Sequence, residues 1–412
     1  MKMRRSSYTI FILCLAAGLA YLPGQVPEKK FMTADGKRPG GLFAPGVMVG
    51  KTAYVAGRGD YKPNEELPNK VRNCLGEIRK TLQASGMDLK NVVHNFCYLE
   101  DSSWYAEFNK AYAEFFPGHP PARTTLGVPS VPGDSRIEIT SIAYADPKGI
   151  KYVGAPPAGF PFSPGVVAGD ILYVSGKGDQ LPQGGHPATF EEQVRQCMKN
   201  VEVTLKQAGL DFRHAVMMHV FLDKYENAAV ANKVYSEFFE FGNEPARATV
   251  FVDWIPGGSH VEVTCWAVTQ LKNRKVLRPA GWKYGPGEMA MTASPAVWAG
   301  QTLYISQMAG DDVQAGSISA DLEQQVRRMA GNHGEVLKAA GLDFKDIISG
   351  HVYLKDINDY APMNNIYKEY YSAGPGVRTC LMPNTSVEKG VVRVRASFIA
   401  AKTRTMEIPK GK

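Results

Sequence analysis

Three arginines recur in matching surroundings in this chain. They are Arg123 in Pro121-Ala-Arg-Thr124, Arg247 in Pro245-Ala-Arg-Ala248 and Arg378 in Gly376-Val-Arg-Thr379. A glutamate follows the first two after 15 residues: Glu138 in Ile137-Glu-Ile139 and Glu262 in Val261-Glu-Val263. The planar fork of a guanidinium binds a carboxylate bidentately. A carboxylate can orient water and shuttle its protons. An Arg and a Glu at constant spacing therefore suit the capture of a small anion with water chemistry beside it. A structural Arg–Glu ion pair is the other reading of the same residues. Arg393 stands 15 residues after Arg378, so the charge is reversed where the carboxylate is expected. A guanidinium cannot act as the base toward water. The site using that strand is expected to be inactive, or to bind an anion more firmly, and the third segment to be mainly structural.

The elements that must position these residues repeat as well. Thr52-Ala-Tyr-Val-Ala56 matches Ile171-Leu-Tyr-Val-Ser175 and Thr302-Leu-Tyr-Ile-Ser306. Ser85-Gly-Met-Asp88 matches Ala208-Gly-Leu-Asp211 and Ala340-Gly-Leu-Asp343. The arginines are offset by 124 and 131 residues, and Asn109, Asn232 and Asn364 by 123 and 132. Such a period is that of a domain. The units are placed at 32–147, 150–271 and 280–402, with polar linkers near Asp146-Pro147-Lys148-Gly149 and Lys272–Lys275.

Each unit reads as an α/β (α+β) domain. The Tyr-Val/Ile run is of strand type. A helix follows: Val194, Met198, Val201, Leu205 and Ala208 fall on one face. Gly86, Gly209 and Gly341 sit where a helix C-terminus wants glycine. Later strands (Val216–Leu222, Ile347–Leu354) and second helices (Trp104–Phe116, Tyr225–Phe239, Asp359–Tyr371) complete the order β-β-α-β-α-β-β. That order predicts a β-sheet with both helices on one face.

These residues carry a resemblance to the RidA (YjgF-type) family of reactive enamine/imine deaminases, most specifically in Pro-Ala-Arg followed by a Glu-containing strand. It covers all three units. It implies a chorismate-mutase-like fold, and ligand sites in clefts between the subunits of a homotrimer. Three units in one chain would then form an intramolecular pseudo-trimer. The resemblance implies Glu138 and Glu262 as the catalytic carboxylates. It implies Arg123, Arg247 and Arg378 as holders of the substrate carboxylate, and Asn109 and Asn232 as cleft residues. No cofactor or metal is implied.

Several positions depart from the family. Its usual Ser-Gly-Gln loop reads Ala56-Gly57-Arg58, Ser175-Gly176-Lys177 and Ser306-Gln307-Met308 here. Backbone at Gly57 and Gly176, with Ser175, is expected to approach a ligand closely. Arg58 and Lys177 add positive charge, which suggests a more anionic or larger substrate, or else a solvated loop. Phe43 and Phe162 take the place of an aromatic residue that is often Tyr in the family, and Ala293 takes it in the third unit. His219 and His351 match Phe96 and so read as packing residues.

Composition sets the outer limits. Of 412 residues, 44% are hydrophobic and 21% charged, which excludes a wholly disordered, collagen-like or coiled-coil chain. A net charge of +7 does not announce a nucleic-acid binder. Lys2, Arg4 and Arg5 precede an apolar run from Tyr8 to about Leu22. Residues 1–22 therefore read as a signal peptide, with an uncleaved membrane anchor as the competitor. An exported protein, periplasmic or secreted, is expected. Cys74, Cys97, Cys197, Cys265 and Cys380 show no metal-ligand spacing and read as buried apolar side chains.

Three functions remain open at this level: hydrolysis of 2-imino or 2-enamino acids to keto acid and ammonia, non-catalytic binding of small carboxylates or a protein partner, and, disfavoured by the modest charge, ribonuclease activity.

Overall fold

A computed structural model describes residues 26–34, 36–282, 292–312, 317–384 and 391–404. The proposed leader at residues 1–22 lies outside them. Unit 1 comprises β1 (Lys29–Phe31), β2 (Gly46–Val49), β3 (Thr52–Arg58), α1 (Leu67–Gln83), β4 (Val92–Leu99), α2 (Tyr105–Ala113), β5 (Ala122–Gly127) and β6 (Ile137–Tyr144). Unit 2 repeats this as β7 (Ile150–Val153), β8 (Gly165–Ala168), β9 (Ile171–Val174), α3 (Phe190–Gln207), β10 (Ala215–Leu222), α4 (Ala228–Ser236), β11 (Ala246–Phe251) and β12 (Val261–Val268). Unit 3 is β13 (Arg274–Leu277), β14 (Ala296–Ala299), β15 (Thr302–Ala309), α5 (Leu322–Ala339), β16 (Ile347–Leu354), α6 (Tyr360–Tyr371), β17 (Val377–Leu381) and β18 (Val394–Ala401).

Each unit forms a six-stranded sheet, in unit 1 in the order β1-β2-β3-β6-β4-β5. The only parallel pairs among the described strands are β4–β5, β10–β11 and β16–β17. The expected five strands are thus six. The additional one is a three- or four-residue edge strand, too short to show an alternating pattern. It starts at Lys29 and Arg274, ahead of the expected unit starts at 32 and 280.

The helices form for the reasons the sequence suggests. Thr189 caps α3 and exchanges bonds with Glu192, satisfying free N–H groups. Val194, Met198, Val201 and Leu205 are all buried on one face. Gly86, Gly209 and Gly341 have φ of +73°, +74° and +70°, the left-handed turn that ends a helix.

Each sheet is covered twice. One face packs on its own two helices. The other faces a shared interior containing Tyr54, Phe96, Tyr173, Trp266 and Tyr304 from all three units. With both faces covered, β4, β10 and β16 are buried at every position and show no alternation of apolar and polar residues. Phe96, His219 and His351 meet at this centre, with ring centroids 5.1 to 6.2 Å apart. The histidines pack as their phenylalanine counterpart does.

The ring closes on itself. Lys29 Nζ donates to Lys345 O, Ile347 O and Gly374 O at 2.6 to 2.9 Å, binding the first strand of unit 1 to unit 3. Arg404 N–H donates to Pro27 O at 2.9 Å. Arg274 ties unit 3 to unit 2 through Ala215 O and Asn243 O, both at 2.7 Å. The five cysteines among the described residues are buried and form no disulfide.

Candidate active site

The joints between units build the clefts. Arg123 N–H donates to Ser175 Oγ at 2.8 Å, and Gly176 N–H donates to Arg123 O at 3.1 Å. Ser175 Oγ in turn donates to Ser163 O at 2.6 Å. Arg247 N–H meets Ser306 Oγ in the same way at 2.8 Å. The third joint uses Ala44 N–H to Gly376 O at 2.8 Å, with Ala56 in the serine position. Each arginine is thereby carried to the edge of the next unit. Ser175 is fully buried and both its hydrogen bonds belong to the joint, so the expected ligand contact is instead a stitch between strands.

The pairing differs from what the constant spacing suggested. Arg123 and Glu138 lie on β5 and β6, which are separated by β4. They serve different clefts. Arg123 acts on Glu262 of unit 2, and Arg378 of unit 3 acts on Glu138 of unit 1. The unit with the reversed charge therefore supplies the arginine of a complete cleft.

In the cleft between units 1 and 2, Arg123 Nη2 donates to Asn109 Oδ1 at 2.6 Å. The guanidinium sits over Tyr112 (4.8 Å), Phe162 (5.2 Å) and Tyr105 (5.9 Å), a cage that fixes its plane. Its Nη1 is buried and has no partner. No salt bridge joins Arg123 to Glu262; the two charges face one another across a gap. Burial pushes the Glu262 carboxyl up to about 8, against the pull of Arg123 and Lys177. Lys177 is half-buried and itself drawn down to about 8 by desolvation.

The cleft between units 3 and 1 has the same plan. Arg378 donates to Asn364 Oδ1 at 2.7 Å and to Tyr360 Oη at 3.2 Å, and lies over Tyr367 (4.9 Å) and Phe43 (5.0 Å). Glu138 is pushed up to about 8 by burial, opposed by Arg378, by Arg58 and by a bond from the Cys380 N–H. Arg58 turns into its own unit, donating to Pro45 O and Thr81 Oγ1 at 3.2 and 3.1 Å. Gly57 and Gly176 make room for the carboxylates. A Cβ there would stand 1.8 Å from Glu138 Oε1 and 2.0 Å from Glu262 Oε1.

The cleft between units 2 and 3 is different. Arg247 still donates to Asn232 Oδ1 at 2.9 Å and lies 4.9 Å from Tyr235. Ala228 and Ala293 stand where the other clefts have a tyrosine and a phenylalanine, and Arg247 is only half-buried. Strand register places Arg395, not Arg393, at the carboxylate position: Tyr353 pairs with Arg395 as Tyr98 pairs with Glu138. The preceding loop is two residues longer, which shifted the spacing. Arg393 is bound to Asp359 instead.

The family profile described as Endoribonuclease L-PSP matches residues 35–145, 153–269 and 289–391. The chain belongs to this family. A RutC family protein of Sulfurisphaera tokodaii is 34% identical over 116 residues, 27% of this chain and 93% of its own. The 2-iminobutanoate/2-iminopropanoate deaminase of Bos taurus is 30% identical over 116 residues, 28% of this chain and 85% of its own. Among solved structures, the YjgF gene product of E. coli is 32% identical, covering 29% of this chain and 99% of its own, with a TM-score of 0.28. Each relative is about one unit long, so this member of the Endoribonuclease L-PSP family carries three copies in one chain.

Sequence reasoning missed the tyrosines. Tyr105, Asn109 and Tyr112 share one face of α2, and the i, i+4, i+7 spacing was the available signal. It also missed Gln307, whose side chain enters the third cleft.

Proposed function

We propose that the clefts between units 1 and 2 and between units 3 and 1 hydrolyse small 2-imino acids to the 2-keto acid and ammonia. The observation that carries this reading is the unjoined Arg–Glu pair, with the Glu carboxyl held near 8. A directly bonded pair would leave no place for a ligand. The free, buried Arg123 Nη1 is a donor suited to a substrate carboxylate. The substrate's C2 then lies between the cation and the glutamate. Glu262 or Glu138 takes a proton from water as its oxygen adds to C2. The carboxyl returns that proton to nitrogen; as the C–N bond breaks and ammonia leaves, the new hydroxyl on C2 gives its proton to the regenerated carboxylate and becomes the keto oxygen. A group that titrates near the working pH can serve both steps. The named activity of the bovine relative is consistent with this chemistry.

Ammonia release from freshly generated 2-iminobutanoate tests the proposal. The Glu138→Gln/Glu262→Gln double variant is expected to lose activity. Undiminished release by that variant would sink the reading.

A further inference from the structure

The third cleft has been rebuilt, not merely worn away. In the cleft between units 3 and 1, the Cys380 N–H is satisfied by Glu138. The corresponding N–H in the third cleft belongs to Thr249, and it donates to Gln307 Oε1 at 3.3 Å. Gln307 occupies the position of Gly57 and Gly176, where any side chain would collide with the glutamate. Its side chain is incompatible with a glutamate placed as Glu138 and Glu262 are, and its amide oxygen takes over the glutamate's acceptor role. The replacement of Glu by Arg395 and of Gly by Gln307 is thus one coupled change. The arginine clamp was retained through it. Arg247 keeps its Asn232 partner, and that is the one hydrogen bond its guanidinium makes among the described residues. Loss of the tyrosine and phenylalanine walls to Ala228 and Ala293 leaves it more accessible than Arg123 (3% exposed) or Arg378 (5%).

We infer that the cleft between units 2 and 3 is a non-hydrolytic binding site for a small dicarboxylate, held by Arg247 at one carboxylate and by the Arg395 side at the other. An acceptor amide cannot take a proton from water, so a bound ligand is kept unchanged. The wider opening and the exchange of a carboxylate for a guanidinium favour a second negative charge over the singly charged imino acids of the other two clefts. The inference rests on the proposed function only for the statement that the other clefts turn over.

Calorimetry with 2-oxoglutarate as the probe tests it on the Arg123→Ala/Arg378→Ala variant, in which only the third clamp remains. The expected result is one equivalent bound per chain, weakened at least tenfold by adding Arg247→Ala and by adding Arg395→Gln. An unfolding midpoint of the Arg247→Ala single variant equal to that of the wild type would show that its ring is folded. Absence of 2-oxoglutarate binding in the double variant overturns the inference, as does binding that Arg247→Ala leaves unchanged, or capture of inorganic phosphate in preference to the dicarboxylate. Turnover in wild type with no third site refutes this inference alone. A third site in a protein without turnover refutes the proposed function alone.

Discussion

Pairing across units makes a prediction that pairing within units forbids. If Arg123 served Glu138, and Arg247 served Glu262, then removing Arg123 or Arg247 would impair catalysis and Arg378 would be silent. The structure instead couples Arg123 to Glu262 and Arg378 to Glu138, and gives Arg247 no glutamate among the described residues. A hydrogen bond to a charged group contributes about 1.5–3 kcal/mol, so losing the clamp lowers kcat/KM at its own cleft by roughly 10- to 100-fold. The other complete cleft remains intact. With equal clefts, Arg123→Ala and Arg378→Ala should each leave about half of the activity, and their combination should leave the 10- to 100-fold deficit of both. Arg247→Ala should leave imine turnover unchanged. The assay is initial-rate ammonia release per chain under subsaturating substrate, with unfolding midpoints to confirm that each variant is assembled. A loss in Arg247→Ala equal to that in Arg123→Ala, or a silent Arg378→Ala, would refute the reasoning.

Four further outcomes follow. Gly176→Ala places a methyl group 2.0 Å from Glu262 Oε1 and Gly57→Ala one 1.8 Å from Glu138 Oε1, so each should halve turnover and the pair should nearly abolish it, at unchanged oligomeric mass. The glutamates titrate near 8, so kcat/KM should climb as pH rises toward 8 and then level off, in a pH–rate profile. Their folded pKa lies above the unfolded value of 4.5, so their contribution to stability is full below pH 4.5 and is lost as pH rises through 8. By that linkage each Glu→Gln variant should be more stable at pH 7 by about 3 kcal/mol in denaturant melts. Buried His351 is drawn down to about 4, so it stays neutral in the fold while the unfolded chain takes up a proton below 6.5. His351→Phe, copying Phe96, should therefore spare about 2 kcal/mol of stability at pH 5 and nothing at pH 8.

The fold was legible because its signals are local. Helix faces such as Val194–Met198–Val201–Leu205, the glycine stops at Gly86, Gly209 and Gly341, and the recurring Arg and Asn positions all lie within short windows of chain. The site was legible only in its parts. Arg123 and Glu138 are close in sequence and belong to different clefts, because β4 enters the sheet between their strands, and no spacing along the chain encodes that insertion. The same limit hid Arg395: a loop two residues longer moved the structural partner away from the arithmetic one, and only the pairing of Tyr353 restores it. Gln307 shows what was missing most clearly. Taken alone, a glutamine for a glycine reads as loop variation, and an arginine for a glutamate reads as decay. Once Gly57 is seen to lie against Glu138, each change explains the other: the glutamate's departure opens the space, and the glutamine's amide fills it and keeps the strand N–H bonded. Contact across the joint is the missing term, and it makes unit 3 both the donor of a working arginine and the owner of the altered cleft wall.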